Sequence, residues 1–128
     1  MDQNQTSLHE NPVPIIRVQG SHAEVGRQLG EAVRPLIQHS VENARNLVES
    51  TRRDLHPTWE GARTQARKYM PFAHERYPQY VEEINGMAEG ANVNNIDLAV
   101  VNFLEAVTTD ALHLTKCTSL SVNEQNTA

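Results

Sequence analysis

The sequence predicts an α+β protein that is mostly helical and carries a short strand near each end of the chain. Apolar residues recur at steps of three and four through most of the 128 residues, which is the spacing of amphipathic helices. Residues 13–20 and 117–122 are instead rich in β-branched side chains, which favours strands. Residues 1–12 are polar and have no apolar period, so we expect a disordered leader there.

The first predicted helix begins at Ser21 and ends near residue 55. Ser21 and Glu24 have the spacing of a capping box, in which each side chain bonds to the backbone of the other residue. Pro35 should kink this helix, because it removes the hydrogen bond to the carbonyl of Glu31. The apolar face consists of Val25, Leu29, Val33, Leu36, Ile37, Val41, Ala44 and Val48. The polar face carries acid–base pairs three residues apart, namely Glu24–Arg27, Glu31–Arg34, Glu42–Arg45 and Glu49–Arg52.

Prolines mark the limits of the second and third predicted helices. Thr58 is placed to cap the second helix, which extends to about Tyr69 and meets a bend or break at Met70-Pro71. Pro78 suits the first turn of the third helix, and Gly90 is its predicted C-cap.

Asn94 opens the last predicted helix, whose apolar spacing continues to Val107. The pattern is lost over residues 108–116, which predicts a loop. Two isolated strands do not form a stable sheet. We therefore expect the chain to be part of a longer protein or to need a partner.

Composition argues against several functional classes. The net charge of −5 and the 5% aromatic content disfavour a nucleic-acid surface, and acids without Lys or Arg between Tyr80 and Thr115 predict a solvated face. No apolar run reaches about 18 residues and no signal-peptide pattern begins the chain, so we expect neither a membrane span nor secretion. A single cysteine excludes internal disulfides and favours a cytoplasmic compartment.

No two of the six histidines are three or four residues apart, so we predict no metal and no resident cofactor.

Cys117 is the first candidate for chemistry. A lone cysteine is more often a buried, inert side chain, but Cys117 lies where a predicted loop meets a predicted strand. His113 is a candidate base close in sequence, although Cys–His pairs are made in space. Glu105 precedes both on a predicted helix, where we favour a structural hydrogen bond. Gly26 and Gly30, four residues apart, favour close helix packing over a phosphate-binding loop.

Four sequence blocks, taken in order, resemble a known family. They are VQGSHAEVGRQLG at 18–30, RYPQYVEEINGMAEGA at 76–91, VVNFLE at 100–105 and CTSL at 117–120. The chain resembles the acyl-coenzyme A:6-aminopenicillanic acid acyltransferases (isopenicillin N acyltransferases) and their peptidase C45 relatives. That family belongs to the N-terminal-nucleophile hydrolases.

The resemblance implies the N-terminal portion of a four-layer αββα protein that is made as an inactive precursor. Residues 13–116 would be the helical proregion that becomes the small subunit, and residues 117–128 would begin the large subunit. Cleavage is implied between Lys116 and Cys117, although such families often carry glycine where this chain has Lys116. The cut frees an α-amino group with a pKa of about 8, which can take the proton of the Cys117 thiol.

The implied activity is transfer or hydrolysis of acyl groups on amides or acyl-CoA thioesters through an acyl-Cys117 intermediate. Thr118 and Glu105 are its implied supporting residues. The implied partners are a small-molecule acyl donor, an amine acceptor or water, and the remainder of the chain as the large subunit. We expect the 128-residue chain to be inactive alone, since family blocks lie beyond Ala128. The alternative is a truncated, non-catalytic helical module that binds a partner through the apolar face of its first helix.

Overall fold

The structure is a computed structural model that describes residues 14–50 and 58–107. Within these ranges the regular elements are helical, and their bounds are α1 His22–Ala32, α2 Arg34–Ser50, α3 Trp59–Arg76, α4 Pro78–Ala91 and α5 Asn95–Asn102. One further helical turn, residues 104–107, follows α5. No strand occurs in either of the described ranges.

The predicted α+β class, with a short strand near each end, is therefore wrong for the part of the chain that the structure describes. Every regular element there is helical, so neither a sheet nor a four-layer αββα arrangement is present in it. The predicted strand at 117–122 and the predicted leader at 1–12 lie outside the described residues.

The predicted strand at 13–20 is not a strand, because its described residues, 14–20, have no regular secondary structure. A strand needs a neighbouring backbone for its ladder of hydrogen bonds. The Gln28 side chain takes that place at Gln19: its Oε1 accepts from the Gln19 N–H at 3.3 Å, and its Nε2 donates to the Gln19 carbonyl at 2.7 Å. Ile15 is 85% exposed, and the described residues contain no sheet against which it could pack.

The predicted helix starts are confirmed. Ser21 Oγ accepts from the Glu24 N–H, and Glu24 Oε2 accepts from the Ser21 N–H at 2.8 Å, which completes the capping box. Thr58 and Asn94 cap α3 and α5 through their side-chain oxygens. Pro78 is the first residue of α4. These signals are local, and each satisfies backbone N–H groups that a helix leaves free at its start.

The two interior prolines have different effects. The first predicted helix is two helices in the structure, because a break at Val33, two residues before Pro35, separates α1 from α2 where a kink within one helix was expected. Pro71 lies inside α3, which continues to Arg76, so the predicted end of this helix near Tyr69 is wrong, and of the predicted bend or break at Met70-Pro71 the break does not occur. Pro71 and Arg67, whose carbonyl loses its intrahelical donor, are both exposed. Water can therefore satisfy that carbonyl without ending the helix.

Helices α1 and α4 pack closely and run parallel. Gly26 of α1 lies against the backbone of Glu83, and Gly30, one turn later, lies against the backbone of Met87. A Cβ atom built at either glycine would overlap a carbonyl oxygen of α4. The prediction of close helix packing at these two glycines is confirmed.

The facing surface of α4 is made in the same way. Gly86 and Gly90 lie against the backbone carbonyls of Ala23 and Arg27. Gly90 is therefore part of the helix contact and not the predicted C-cap. Asn92 caps α4 in the left-handed conformation, with a φ of 56°.

Small side chains form most of the core between α2, α3, α4 and α5. One cluster comprises Val41, Ala44, Val48, Trp59, Ala62, Ala66 and Val100. A second comprises Ile37, Ala88, Ala91 and Leu98. Four residues of the apolar face predicted for the first helix, Ile37, Val41, Ala44 and Val48 of α2, are buried in these clusters, whereas Leu36 of the same face is 65% exposed.

Candidate functional site

The predicted cleavage and nucleophile residues Lys116, Cys117 and Thr118 lie outside the described residues, as does His113. Their roles stay predictions. Glu105 lies in the helical turn that follows α5, and its side chain is exposed. The structure therefore describes the helices that precede the predicted nucleophile.

A buried carboxylate joins α5 to α3. Asp97, in the first turn of α5, is 6% exposed. The indole Nε1–H of Trp59 donates to Asp97 Oδ1 at 2.9 Å. The Arg63 guanidinium donates from Nε to Oδ1 at 2.6 Å and from Nη2 to Oδ2 at 2.9 Å. This forked pairing fixes direction as well as distance, so it sets the orientation of α5 on α3.

The charges around Asp97 keep it ionised. Burial acts to raise the pKa of Asp97, but hydrogen bonds from Arg63 and Trp59 and the charges of Arg63 and Arg45 outweigh it, and the pKa lies below its ordinary value of 3.8. The hydrogen bond with Asp97 in turn raises the pKa of Arg63. Such a pair does not exchange protons near neutral pH. It is suited to holding helices in place and not to acid–base catalysis.

Arg45 extends this network to α2. Its guanidinium carbon lies 5.4 Å from the centroid of the Trp59 ring, within the range of a cation–π contact. The indole ring thus contacts a cation on one helix and donates to a carboxylate on another. Three helices, α2, α3 and α5, meet at this network.

Sequence patterns did not reveal the role of Asp97, which was grouped with acids of a solvated face. A signal was nonetheless present, because five of the eight residues of α5 are apolar and Asp97 is its one charged residue. An acid on a buried helix requires a partner of opposite charge. The identity of that partner, Arg63, depends on how α3 packs and is not readable from spacing.

A second cluster lies where α1 and α4 begin, and we call it the aromatic corner. It consists of His22, Tyr77, Tyr80 and Glu83. His22 Nδ1 and Glu83 Oε2 are 3.1 Å apart, the His22 ring meets the Tyr80 ring edge-on at 6.2 Å, and the Tyr77 and Tyr80 centroids are 6.0 Å apart. Both tyrosines are more than half exposed. The aromatic corner therefore presents exposed rings at the surface, and contacts between these rings hold them in place.

Neither cluster has the composition of a metal centre. Among the described residues, no group of three or more His, Cys, Asp or Glu side chains could hold a metal ion. A shallow polar cleft lies between α1 and the residues that precede it, and it is lined by Arg17, Val18, Gln19 and Gln28.

Among the helices of the described ranges, none has the length and apolarity that crossing a membrane requires.

Comparison with known proteins adds one relative. No family model matches the chain. It is 27% identical over 121 residues to a β-alanyl-dopamine/carcinine hydrolase from Drosophila melanogaster. The chain is distantly similar to a hydrolase. The alignment covers 89% of this chain and 31% of the relative, so the chain spans less than a third of the length of that relative.

Proposed function

We propose that this chain is the nucleophile-bearing, N-terminal part of a cysteine amidohydrolase that acts through an acyl-Cys117 intermediate. The observation that carries the proposal is the 27% identity to a hydrolase along 89% of the chain. The four blocks that resemble the acyltransferase and C45 peptidase family support it, because the last of them begins with Cys117.

The proposed reaction has two steps. The Cys117 thiolate attacks the carbonyl carbon of an amide, the C–N bond breaks, and the amine leaves with a proton while a thioester forms on Sγ. Water then attacks the thioester, the C–S bond breaks, and the carboxylic acid leaves as the thiol is restored. The α-amino group freed by cleavage after Lys116 takes the thiol proton in the first step and returns it to the leaving amine.

The name of the relative suggests the first substrates to test. It names β-alanyl-dopamine, in which a β-alanyl acyl group is joined to an amine through an amide bond. An amide of that kind fits the proposed chemistry without an acyl-CoA donor. Transfer of the acyl group to a second amine would share the first step, and the amine would take the place of water in the second step.

We also assign the helices the role of supporting the nucleophile. Asp97 holds α5 against α3 through three hydrogen bonds, and the turn at 104–107 continues from α5 toward Cys117 in sequence. A nucleophile must be held close to its reacting geometry to be effective. A bonded helix preceding it in the chain is consistent with that need.

The test uses the complete protein that contains this chain and β-alanyl-dopamine as the substrate. We expect intact-mass analysis of the wild type to show a fragment that begins at Cys117, and a brief incubation to add one β-alanyl group to that fragment. Cys117→Ala should remain uncut and unlabelled, whereas Cys117→Ser keeps a weaker nucleophile at the same position. An uncut wild type with normal amidase activity, or a label on another residue, would refute the mechanism.

A further inference from the structure

Half of the aromatic side chains of this protein lie exposed around the junction of α3 and α4. Phe72, Tyr77 and Tyr80, three of its six aromatic residues, are 69%, 58% and 55% exposed. The core, in contrast, consists mostly of alanine and valine. The exposed rings of Tyr77 and Tyr80 lie side by side, with their centroids 6.0 Å apart. Exposed apolar surface that is concentrated in this way marks an interaction site.

The aromatic corner is arranged in advance for contact. Tyr80 lies between the rings of His22 and Tyr77, and His22 is held in turn by Glu83 on the neighbouring helix. The glycine contact between α1 and α4 brings these two helix starts together. Rings that are already ordered lose little conformational entropy when a partner covers them.

We propose that the aromatic corner is the surface on which the rest of the complete protein, the polypeptide downstream of residue 128, docks. The alignment covers 89% of this chain and 31% of the hydrolase relative. The part of the relative outside the aligned region is therefore more than twice as long as the part inside it. Tyrosine is enriched in the buried centres of interfaces. The inference rests on the proposed function in one respect, which is that the chain belongs to a longer hydrolase.

The test places a photo-crosslinking phenylalanine analogue in the complete protein. At Tyr80, and separately at Tyr77, we expect crosslinks to peptides downstream of residue 128. The matched control is Leu36, which is 65% exposed on α2 and lies outside the corner. It should give a much lower yield of the same peptides.

A stability measurement guards against a crosslinker that disturbs the fold. Truncation of a central interface residue changes an equilibrium by about 30-fold, so Tyr80→Ser should lower the folding equilibrium constant of the complete protein by about that factor. Leu36→Ser, as a surface change, should alter it by about twofold or less.

Four results would overturn the inference. They are a translated product that ends at Ala128, crosslinks to a second copy, crosslinks only within residues 1–128, and equal yields from Tyr80 and Leu36. Amidase activity is measured on the same samples, which separates the two proposals. An active protein without the crosslink refutes the docking surface alone, and a crosslinked protein without activity refutes the proposed function alone.

Discussion

Replacing Gly26 by alanine tests the closest contact in the fold. In most helices this change is stabilising, since alanine is favoured over glycine by about 1 kcal/mol in a helix interior. Here we expect the opposite sign. Gly26 faces α4, and a Cβ atom at this position would meet the backbone of Glu83 and Met87 and no flexible side chain.

The size of the effect follows from these contacts. The added Cβ would lie 2.8 Å from the Glu83 carbonyl carbon and would overlap its oxygen. Carbon atoms pack best at about 3.5–4.0 Å, so α1 must move away from α4 by about 1 Å. Overpacking of this kind costs about 1–3 kcal/mol, and backbone neighbours place this case at the upper end. After the gain in helix propensity, we expect a net loss of about 2 kcal/mol.

Urea unfolding of the protein measures this loss. With a slope of about 2 kcal/mol per molar, the midpoint of Gly26→Ala should fall by about 1 M. Amide hydrogen exchange over α1, which packs mainly on α4, should accelerate in the same variant. Gly61→Ala is the matched control, because its Cβ would meet only Thr58 Oγ1, at 3.1 Å. If Gly26→Ala raised the midpoint, or left it unchanged, the close parallel packing of α1 on α4 would be incorrect.

Three further outcomes follow from the bonded groups. Asp97→Asn should cost about 3 kcal/mol in urea unfolding, because it leaves Arg63 without its charge partner, and the apolar pair Asp97→Leu with Arg63→Met should recover most of that loss. Because the pKa of Asp97 is lowered below 3.8 in the folded protein, its contribution to stability is present above that value and declines as the pH falls through the folded pKa. Asp97→Asn should therefore make stability fall less steeply as the pH drops below 3.8, and an unchanged acid limb would contradict this origin. Ser21→Ala should lower stability by about 1 kcal/mol through loss of the capping box, with Ser21→Asp as a variant that retains the cap, and equal thermal midpoints for the two would argue against the capping bond.

The starts of the helices were predictable because their causes lie within one turn of the chain. Ser21, Thr58 and Asn94 each accept a hydrogen bond from a backbone N–H two or three residues later. Such a signal is complete within a few residues and needs no knowledge of the fold. Their positions were therefore correct from spacing alone.

Partner choice was not predictable in the same way. Arg45 is spaced to pair with Glu42, yet the structure places its guanidinium over the Trp59 ring of another helix. Arg27 bonds to Glu31 at 3.1 Å and not to Glu24. A surface ion pair at helical spacing contributes only about 0.3–0.5 kcal/mol, so either a contact provided by packing or another pair on the same helix readily replaces it.

For the candidate site, too, some features come from the sequence and others only from the tertiary structure. The resemblance around Cys117 comes from sequence, and it stays a prediction because that residue lies outside the described ranges. The Asp97 network and the aromatic corner come only from the structure, since each joins residues that are 34 to 61 positions apart in sequence.

The sequence alone determined where most helices begin and that Gly26 and Gly30 face a neighbouring helix. The tertiary structure decided that Asp97 is buried, that α3 continues through Pro71, and that residues 14–20 pair with no strand among the described residues. The physical reason is the distance along the chain over which each interaction acts. Caps and apolar periods act over a few residues, whereas burial, charge pairing and strand formation depend on atoms that folding alone brings together.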